Sequence, residues 1–172
     1  MKKVFLLSAL MLIMGLVSAQ DNNLVEIAKN SGNHTILVRA IVAADLATTL
    51  EDKGPFTVFA PTNDAFSKLP KGVLSKLLEE ENKNKLRALL KYHVIAGKID
   101  AAAVMAAIKE GKDKAVLTTV QGETLTIMLE DGKVVIVDAT GNKATVTATD
   151  LNGSNGVIHV IDTVLMPKEK KK

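Results

Sequence analysis

Three histidines, His34, His93 and His159, are the side chains of this 172-residue chain best placed to carry chemistry near neutral pH. An imidazole can serve as a general base or a metal ligand. A metal centre here would have to combine His93 and His159 with a remote carboxylate such as Asp64, Asp150 or Asp162, because no two ligands stand close enough in sequence to seed a site. No H-E-x-x-H, no G-x-S-x-G and no phosphate-binding glycine loop is present. The structural readings of these histidines are stronger. His34 follows Gly32 in a break between helices and reads as an exposed or capping residue. His93 and His159 each read as strand residues between aliphatic neighbours, and His159 shares a face with Val157 and Ile161. A buried neutral ring needs a partner for its N–H and for its lone pair, and an orphan costs roughly 1–3 kcal/mol. His93 and His159 are therefore expected to be hydrogen-bond nodes, and no catalytic residue, cofactor or metal site is expected.

The elements that must position these residues are legible. Thr57 to Ala60 reads as a short buried strand stopped by Pro61, which cannot donate to a sheet ladder. Thr62, Asn63 and Asp64 then offer oxygens to the free N–H groups of a first helical turn, where the dipole also favours the Asp64 charge. Phe59 and Phe66 are expected to anchor the two sides of this junction in one core. Tyr92 has an apolar ring and a hydroxyl that wants a partner.

The first half of the chain has helical periodicity. Asn22 or Asn23 caps a helix that turns Leu24, Ile27 and Ala28 inward, and Thr35 to Ala44 repeats apolar residues at Ile36, Val38, Ile41 and Val42. Asp45 to Leu50, Val73 to Leu78 and Lys83 to Lys91 read as further helical pieces, and Asp100 caps an alanine-rich helix ending near Gly111. Strands are expected at Tyr92 to Ile95, Ala115 to Val120, Thr124 to Leu129, Lys133 to Val137, Ala144 to Thr149 and Val157 to Ile161. Asp131-Gly132 marks a tight hairpin. Thr145, Thr147 and Thr149 should face outward while Ala144, Val146 and Ala148 face inward. Strands gathered after helices argue for an α+β fold.

Three segments, Thr57-Val-Phe-Ala-Pro-Thr-Asn-Asp-Ala-Phe66, Tyr92-His-Val-Ile-Ala-Gly-Lys-Ile99 and Asn155-Gly-Val-Ile-His-Val-Ile-Asp-Thr-Val-Leu-Met-Pro167, together resemble the signature segments of the fasciclin domain. The resemblance runs from about Asn23 to Pro167 and implies an α+β wedge of two β-sheets with helices packed along it. It makes Thr57, Phe59, Pro61, Asn63, Asp64, Phe66, Tyr92, His93, Gly156 and His159 structural nodes of that module. It also implies a non-catalytic role in adhesion and matrix contact. An acidic-aliphatic segment linked to integrin binding in animal relatives corresponds to Asp150 and Leu151, followed by Asn155-Gly156-Val157; Ala148 and Thr149 depart from that pattern. Asp150, Leu151 and Asn155 are thus a candidate interaction loop, although Asp150 reads more simply as the start of a turn.

Residues 1–19 read as a secretory signal peptide: a basic Met1-Lys2-Lys3, an apolar run from Val4 to Val17, and small residues before Gln20. The run is shorter than the roughly 18 to 20 residues needed to span a bilayer. The expected domain is 20–167, with a basic, disordered tail at 168–172 that has at most a weak attraction to anionic surfaces. The expected location is periplasmic or extracellular, in a leader of bacterial style. No cysteine is present, so the exported chain has neither disulfides nor a thiolate metal site. Removing Lys2 and Lys3 takes the net charge of +3 to about +1, which gives no case for nucleic acid. Asn33-His34-Thr35 and Asn152-Gly153-Ser154 match the glycosylation acceptor pattern, which is common by chance. The leading expectation is an exported interaction module with a protein, cell-surface or matrix partner and no membrane span. The alternative is a carrier of a small apolar ligand in a cleft between sheet and helices.

Overall fold

The computed structural model describes residues 22–168 other than Lys53; the expected signal peptide at 1–19, with Gln20 and Asp21, and the expected tail from Glu169 to Lys172 lie outside the described residues. Helices α1 (Leu24–Asn30), α2 (Thr35–Ala43) and α3 (Ala47–Glu51) precede strand β1 (Phe56–Pro61). Helices α4 (Asn63–Ser67), α5 (Val73–Leu77) and α6 (Lys83–Tyr92), with a 3-10 turn at Glu80–Asn82, lead to β2 (Val94–Ala96) and α7 (Ala101–Glu110). Strands β3 (Lys114–Thr118), β4 (Thr124–Glu130), β5 (Lys133–Val137), β6 (Lys143–Gly153) and β7 (Gly156–Ile161) complete the chain.

The strand order is β2-β1-β7-β6-β5-β4-β3. Strand β6 belongs to both halves of the wedge: Lys143 to Thr145 pair with β5, and Val146 to Gly153 pair with β7. The change of partner coincides with register shifts between Val146, Ala148 and Leu151, where bulges bend the strand. The two far edges meet at one point, where the Val120 N–H donates to the Val94 carbonyl at 2.8 Å. Helix α7, which connects β2 to β3, packs against β3 and β4.

All strands pair antiparallel except β1 and β7, which run parallel at the centre from Phe56↔Gly156 to Pro61↔Ile161. Both are buried on both faces, as their near-continuous apolar sequence requires. Alternation along them feeds two cores. Val58, Ala60, Ile158 and Val160 face the helices α1, α2, α4 and α6, while Phe59 and Ile161 face the wedge interior with Leu125, Ile127, Ile136, Val104 and Ile108.

Several local expectations are corrected. Phe59 and Phe66 lie in different cores, because Pro61 and the turn after it carry Phe66 to the helical side of the sheet. In α2 the buried residues are Leu37, Ala40 and Ile41, whereas Val42 is 56% exposed. In α1, Leu24, Ile27 and Ala28 turn inward as expected, and Val25 is buried with them. Inward alternation along β6 ends at the bulges, so Ala148 is exposed beside Thr147 and Thr149. The Asp131-Gly132 hairpin forms as expected, with positive φ at both residues (51° and 75°).

Candidate functional site

Tyr92 and His93 end a helix and do not open a strand. Tyr92 is the last residue of α6, His93 is its C-cap, and β2 begins at Val94. The cause is the leucine face of α6: four residues after Leu89, one more turn carries His93 to the buried side. His93 Nδ1 lies 2.8 Å from the Leu89 carbonyl oxygen and donates to it, leaving Nε2 to accept the Leu165 N–H at 3.0 Å. Burial pushes the imidazole down to about 4, opposed by the Leu89 carbonyl and the Asp138 carboxylate, so the ring is neutral at neutral pH with both nitrogens engaged. The Tyr92 hydroxyl donates to the Thr124 carbonyl at 3.1 Å and accepts the Ala139 N–H at 2.8 Å. Burial raises it to about 12, with Asp138 and Glu123 adding to the shift and the Ala139 bond opposing it.

Asp138 is the buried acid that inspection of the sequence passes over. Its Oδ1 accepts from the Thr140 N–H, the Thr140 hydroxyl and the Asn142 N–H at 2.9, 2.7 and 2.9 Å, and its Oδ2 accepts the Met166 N–H at 2.9 Å. Glu123 Oε2 accepts the Lys168 N–H at 3.0 Å. The segment Val164–Lys168 belongs to no strand, yet the side chains of His93, Asp138 and Glu123, each at the margin of a different element, hold its backbone, while Val164 enters one core and Leu165 the other. Asp138 sits in an Asp-Ala-Thr-Gly-Asn reversal, where aspartate is ordinarily a turn former. The spacing Asp138, Thr140, Asn142 is the local signal for the carboxylate cradle.

The second histidine is a strand residue, as its alternation implies. His159 pairs with Phe59 across the central strands, ring centroids 5.8 Å apart. Its Nε2 donates to the Ile99 carbonyl at 2.7 Å and its Nδ1 accepts a long 3.4 Å bond from the Asp150 N–H. Asp150 stands at a β6 bulge with φ 59°. Its Oδ1 accepts the Ala101 N–H at 2.9 Å, beside Asp100, which caps Ala103 at 2.8 Å. Asp150 therefore supports the first turn of α7 from another strand and does not begin a turn.

The other residues singled out by sequence fall as follows. Leu151 is partly buried against the helical core. Asn155 is buried, contrary to a role as an exposed contact residue: it accepts the Leu24 N–H at 3.0 Å and donates to the Leu50 and Asp52 carbonyls at 2.6 and 2.9 Å. Side-chain atoms at Gly156 would collide with the Phe56 backbone, which explains the glycine. Thr57 donates to the Gly97 carbonyl and accepts from the Ile99 N–H. Thr62 alone caps α4. Asn63 instead reaches back to α2, accepting the Ile36 N–H at 3.0 Å and the Thr35 hydroxyl at 3.2 Å. Pro61 closes β1, Asp64 is exposed in the first turn of α4 and Phe66 is buried. His34 is buried, not exposed; its Nδ1 lies 2.7 Å from the Ser31 hydroxyl and its Nε2 makes no hydrogen bond. Burial lowers its pKa, with the Ala60 backbone opposing.

The Asp138 carboxylate acts on His93, whereas His159 meets Asp150 through the Asp150 backbone N–H and not through its carboxylate. Among the described residues, no three His, Asp or Glu side chains gather in a way that could hold a metal ion. What the arrangement does chemically is satisfy backbone groups that the strands and helices leave open.

The model of the fasciclin domain matches residues 32–167. The chain belongs to the fasciclin domain family. It is 49% identical over 144 residues to protein sll1483 of Synechocystis sp., covering 84% of this chain and 73% of that one. It is 34% identical over 145 residues to immunogenic protein MPB70 of Mycobacterium bovis, covering 81% and 66%. It is 37% identical over 133 residues to human periostin, covering 77% of this chain but only 14% of periostin. Among solved structures, a FAS1 domain pair from the insect cell adhesion molecule Fasciclin I superposes with a TM-score of 0.74 at 20% identity, covering 84% of this fasciclin-family chain and 51% of that one. At that identity the likeness is one of fold.

Proposed function

We propose that this fasciclin-family chain is a non-catalytic, exported interaction module that binds a protein or matrix partner at a cell surface. The observation that carries this reading is the use of the polar groups in the three signature segments. The nitrogens of His93 and His159, the Tyr92 hydroxyl, the Asn155 amide and the Thr57 hydroxyl are all engaged, almost entirely with the chain's own backbone. Groups so engaged serve as scaffold, and recognition falls to the surface they hold. The occurrence of the same fold in an insect cell adhesion molecule agrees with a contact role.

The contact surface of this proposal is the bulged part of β6, where Thr147, Ala148, Thr149 and Asp150 are exposed in succession, with Leu151 partly covered behind them. Export rests on the Val4–Val17 apolar run and the small residues before Gln20, and among the described residues no helix is long and apolar enough to cross a membrane. The basic Lys168–Lys172 end adds a salt-screened attraction to anionic surfaces.

The test is binding of the purified, processed chain to intact cells of its source. Saturable binding that falls when Thr149 and Asp150 are replaced together, with the fold intact by circular dichroism, supports the reading. Stoichiometric zinc or iron in the purified protein, or binding indifferent to β6 substitutions, overturns it. Amino-terminal sequencing of the exported protein should begin at Gln20.

A further inference from the structure

Beneath that surface, an apolar cavity of about 40 Å³ lies in the wedge interior. Ala101, Val104 and Met105 of α7 form one wall, and Phe59, Val134 and Val146 of the sheet form the other. The exposed Thr149 also lines it and marks where it approaches solvent. The ring of His159 lies in the wall, but its two nitrogens are engaged by Ile99 and Asp150, and the lining is apolar throughout.

We propose that this cavity is a binding seat for the end of an unbranched alkyl chain. Three observations lead there. The first is size and polarity. A cavity needs roughly 10–15 Å³ to admit a water, and apolar cavities with that room stay dry and accept hydrocarbon or xenon; one of about 150 Å³ takes benzene. At about 40 Å³, the space is too small for a ring and fits a straight chain end. The second is the composition of α7. Five of its first seven residues are alanine, and only Val104 and Ile108 are fully buried, so the helix leaves room beside its first turn. The third is that the walls are preformed. Asp100 and Asp150 hold the start of α7, and at its end a side chain on Gly111 would collide with the Lys114 carbonyl. Small-molecule sites are preformed and mostly apolar but measure about 300–1,000 Å³, so a space of about 40 Å³ seats a chain end and not a whole ligand. The void in the helical core, between Leu24, Leu37, Ile41 and Ile158, measures only about 10 Å³ and has no such room.

The seat adjoins the proposed contact surface through Thr149 and Asp150, but its test leaves both residues in place and does not involve a partner. The processed chain is titrated with xenon and with primary alcohols from ethanol to hexanol, while the methyl signals of Val104, Met105, Val134 and Val146 are followed by NMR. Saturable shifts confined to these methyls are expected, with affinity rising roughly fourfold per methylene and levelling off once the space is filled. Ala101→Leu, which places a side chain in the opening, should abolish the response. Met105→Ala, which enlarges the space, should extend the series of alcohols accepted and keeps the test decisive if Ala101→Leu does not fold. The proposal is overturned by shifts that never saturate, that appear equally at Leu24 and Leu37, or that ignore both substitutions.

Discussion

His93 and His159 flank Phe59, whose N–H bonds the His93 carbonyl and whose strand partner is His159. On the first side, the closed end, His93 and Asp138 are both buried and hold the C-terminal segment; on the second, the open end, His159 is buried but Asp150 stands exposed on a bulged strand. Both ends pair a histidine with an aspartate and use them to satisfy backbone N–H groups. The first end acts on a segment with no ladder of its own, so the side chains are its principal polar attachment. The second acts on a strand that already has ladder bonds to β7, so the side chains only trim a bulge and a helix start. The difference teaches that a polar side chain matters to stability in proportion to how few alternatives its partner has. It also separates a closed end, where substitution damages the fold, from an open end, where residues are available for contact.

The largest expected effect is common to both ends. Phe59 is 1% exposed at the centre of the wedge, against His159 on the neighbouring strand. Phe59→Ala should lower stability by about 3–5 kcal/mol through the cavity it leaves, measured by urea unfolding. A parent-like midpoint would mean that the two ends do not share a core and would remove the basis for comparing them.

Next comes the acid response of the closed end. The folded-state pKa of His93 is about 4, below the ordinary value of 6.5. Between those values the unfolded chain binds the extra proton, so stability rises with pH. The contribution is fully present above pH 6.5, is lost as pH falls toward 4, and changes no further below that. The difference corresponds to about 3 kcal/mol. Unfolding free energies measured from pH 7 to pH 4 should show this loss, and His93→Gln should flatten much of it. A profile unchanged by His93→Gln would place the titrating group elsewhere.

His159→Ala should cost roughly 1–3 kcal/mol, since it leaves the Ile99 carbonyl without its donor. A loss well above that range would make the open end as demanding as the closed one and would break the contrast.

The contrast also accounts for what the sequence reveals and what it hides. The central strands, the Asp131-Gly132 hairpin and the Asp100 cap are local patterns, and each is found where periodicity and turn chemistry put it. His159 is legible for the same reason, because it alternates with aliphatic residues in a strand buried on both faces. Tyr92-His93 is misread as strand because the apolar Val94 and Ile95 follow without a break, and short apolar runs do not distinguish a helix end from a strand start. Asp138 and Asn155 sit in turn-like stretches, and their burial depends on Met166 and on Leu24, 28 and 131 residues away in sequence. No local pattern carries that information. The exposure of Ala148 follows from bulges that arise where β6 changes partner, which alternation alone does not reveal.

The smallest effect is the most informative about function. Asp150 is exposed, but its carboxylate takes the Ala101 N–H, so Asp150→Ala should not be silent. Losing a helix cap outright costs typically about 1 kcal/mol. Here Asp100 still caps the same turn at Ala103, so the expected loss is about 0.5 kcal/mol or less. The Asp150 N–H bond to His159 comes from the backbone and survives the substitution, although the φ of 59° favours aspartate over alanine and adds a little. Asp150→Asn separates these terms, since it keeps the positive-φ preference and the oxygen acceptor but removes the charge. If both variants melt within about 0.5 kcal/mol of the parent while cell binding falls in both, the carboxylate is read by a partner. If binding falls only with Asp150→Ala, the partner reads the shape of the bulge. If Asp150→Ala costs several kcal/mol, the open end is structural after all, and the contact surface must lie elsewhere on the wedge.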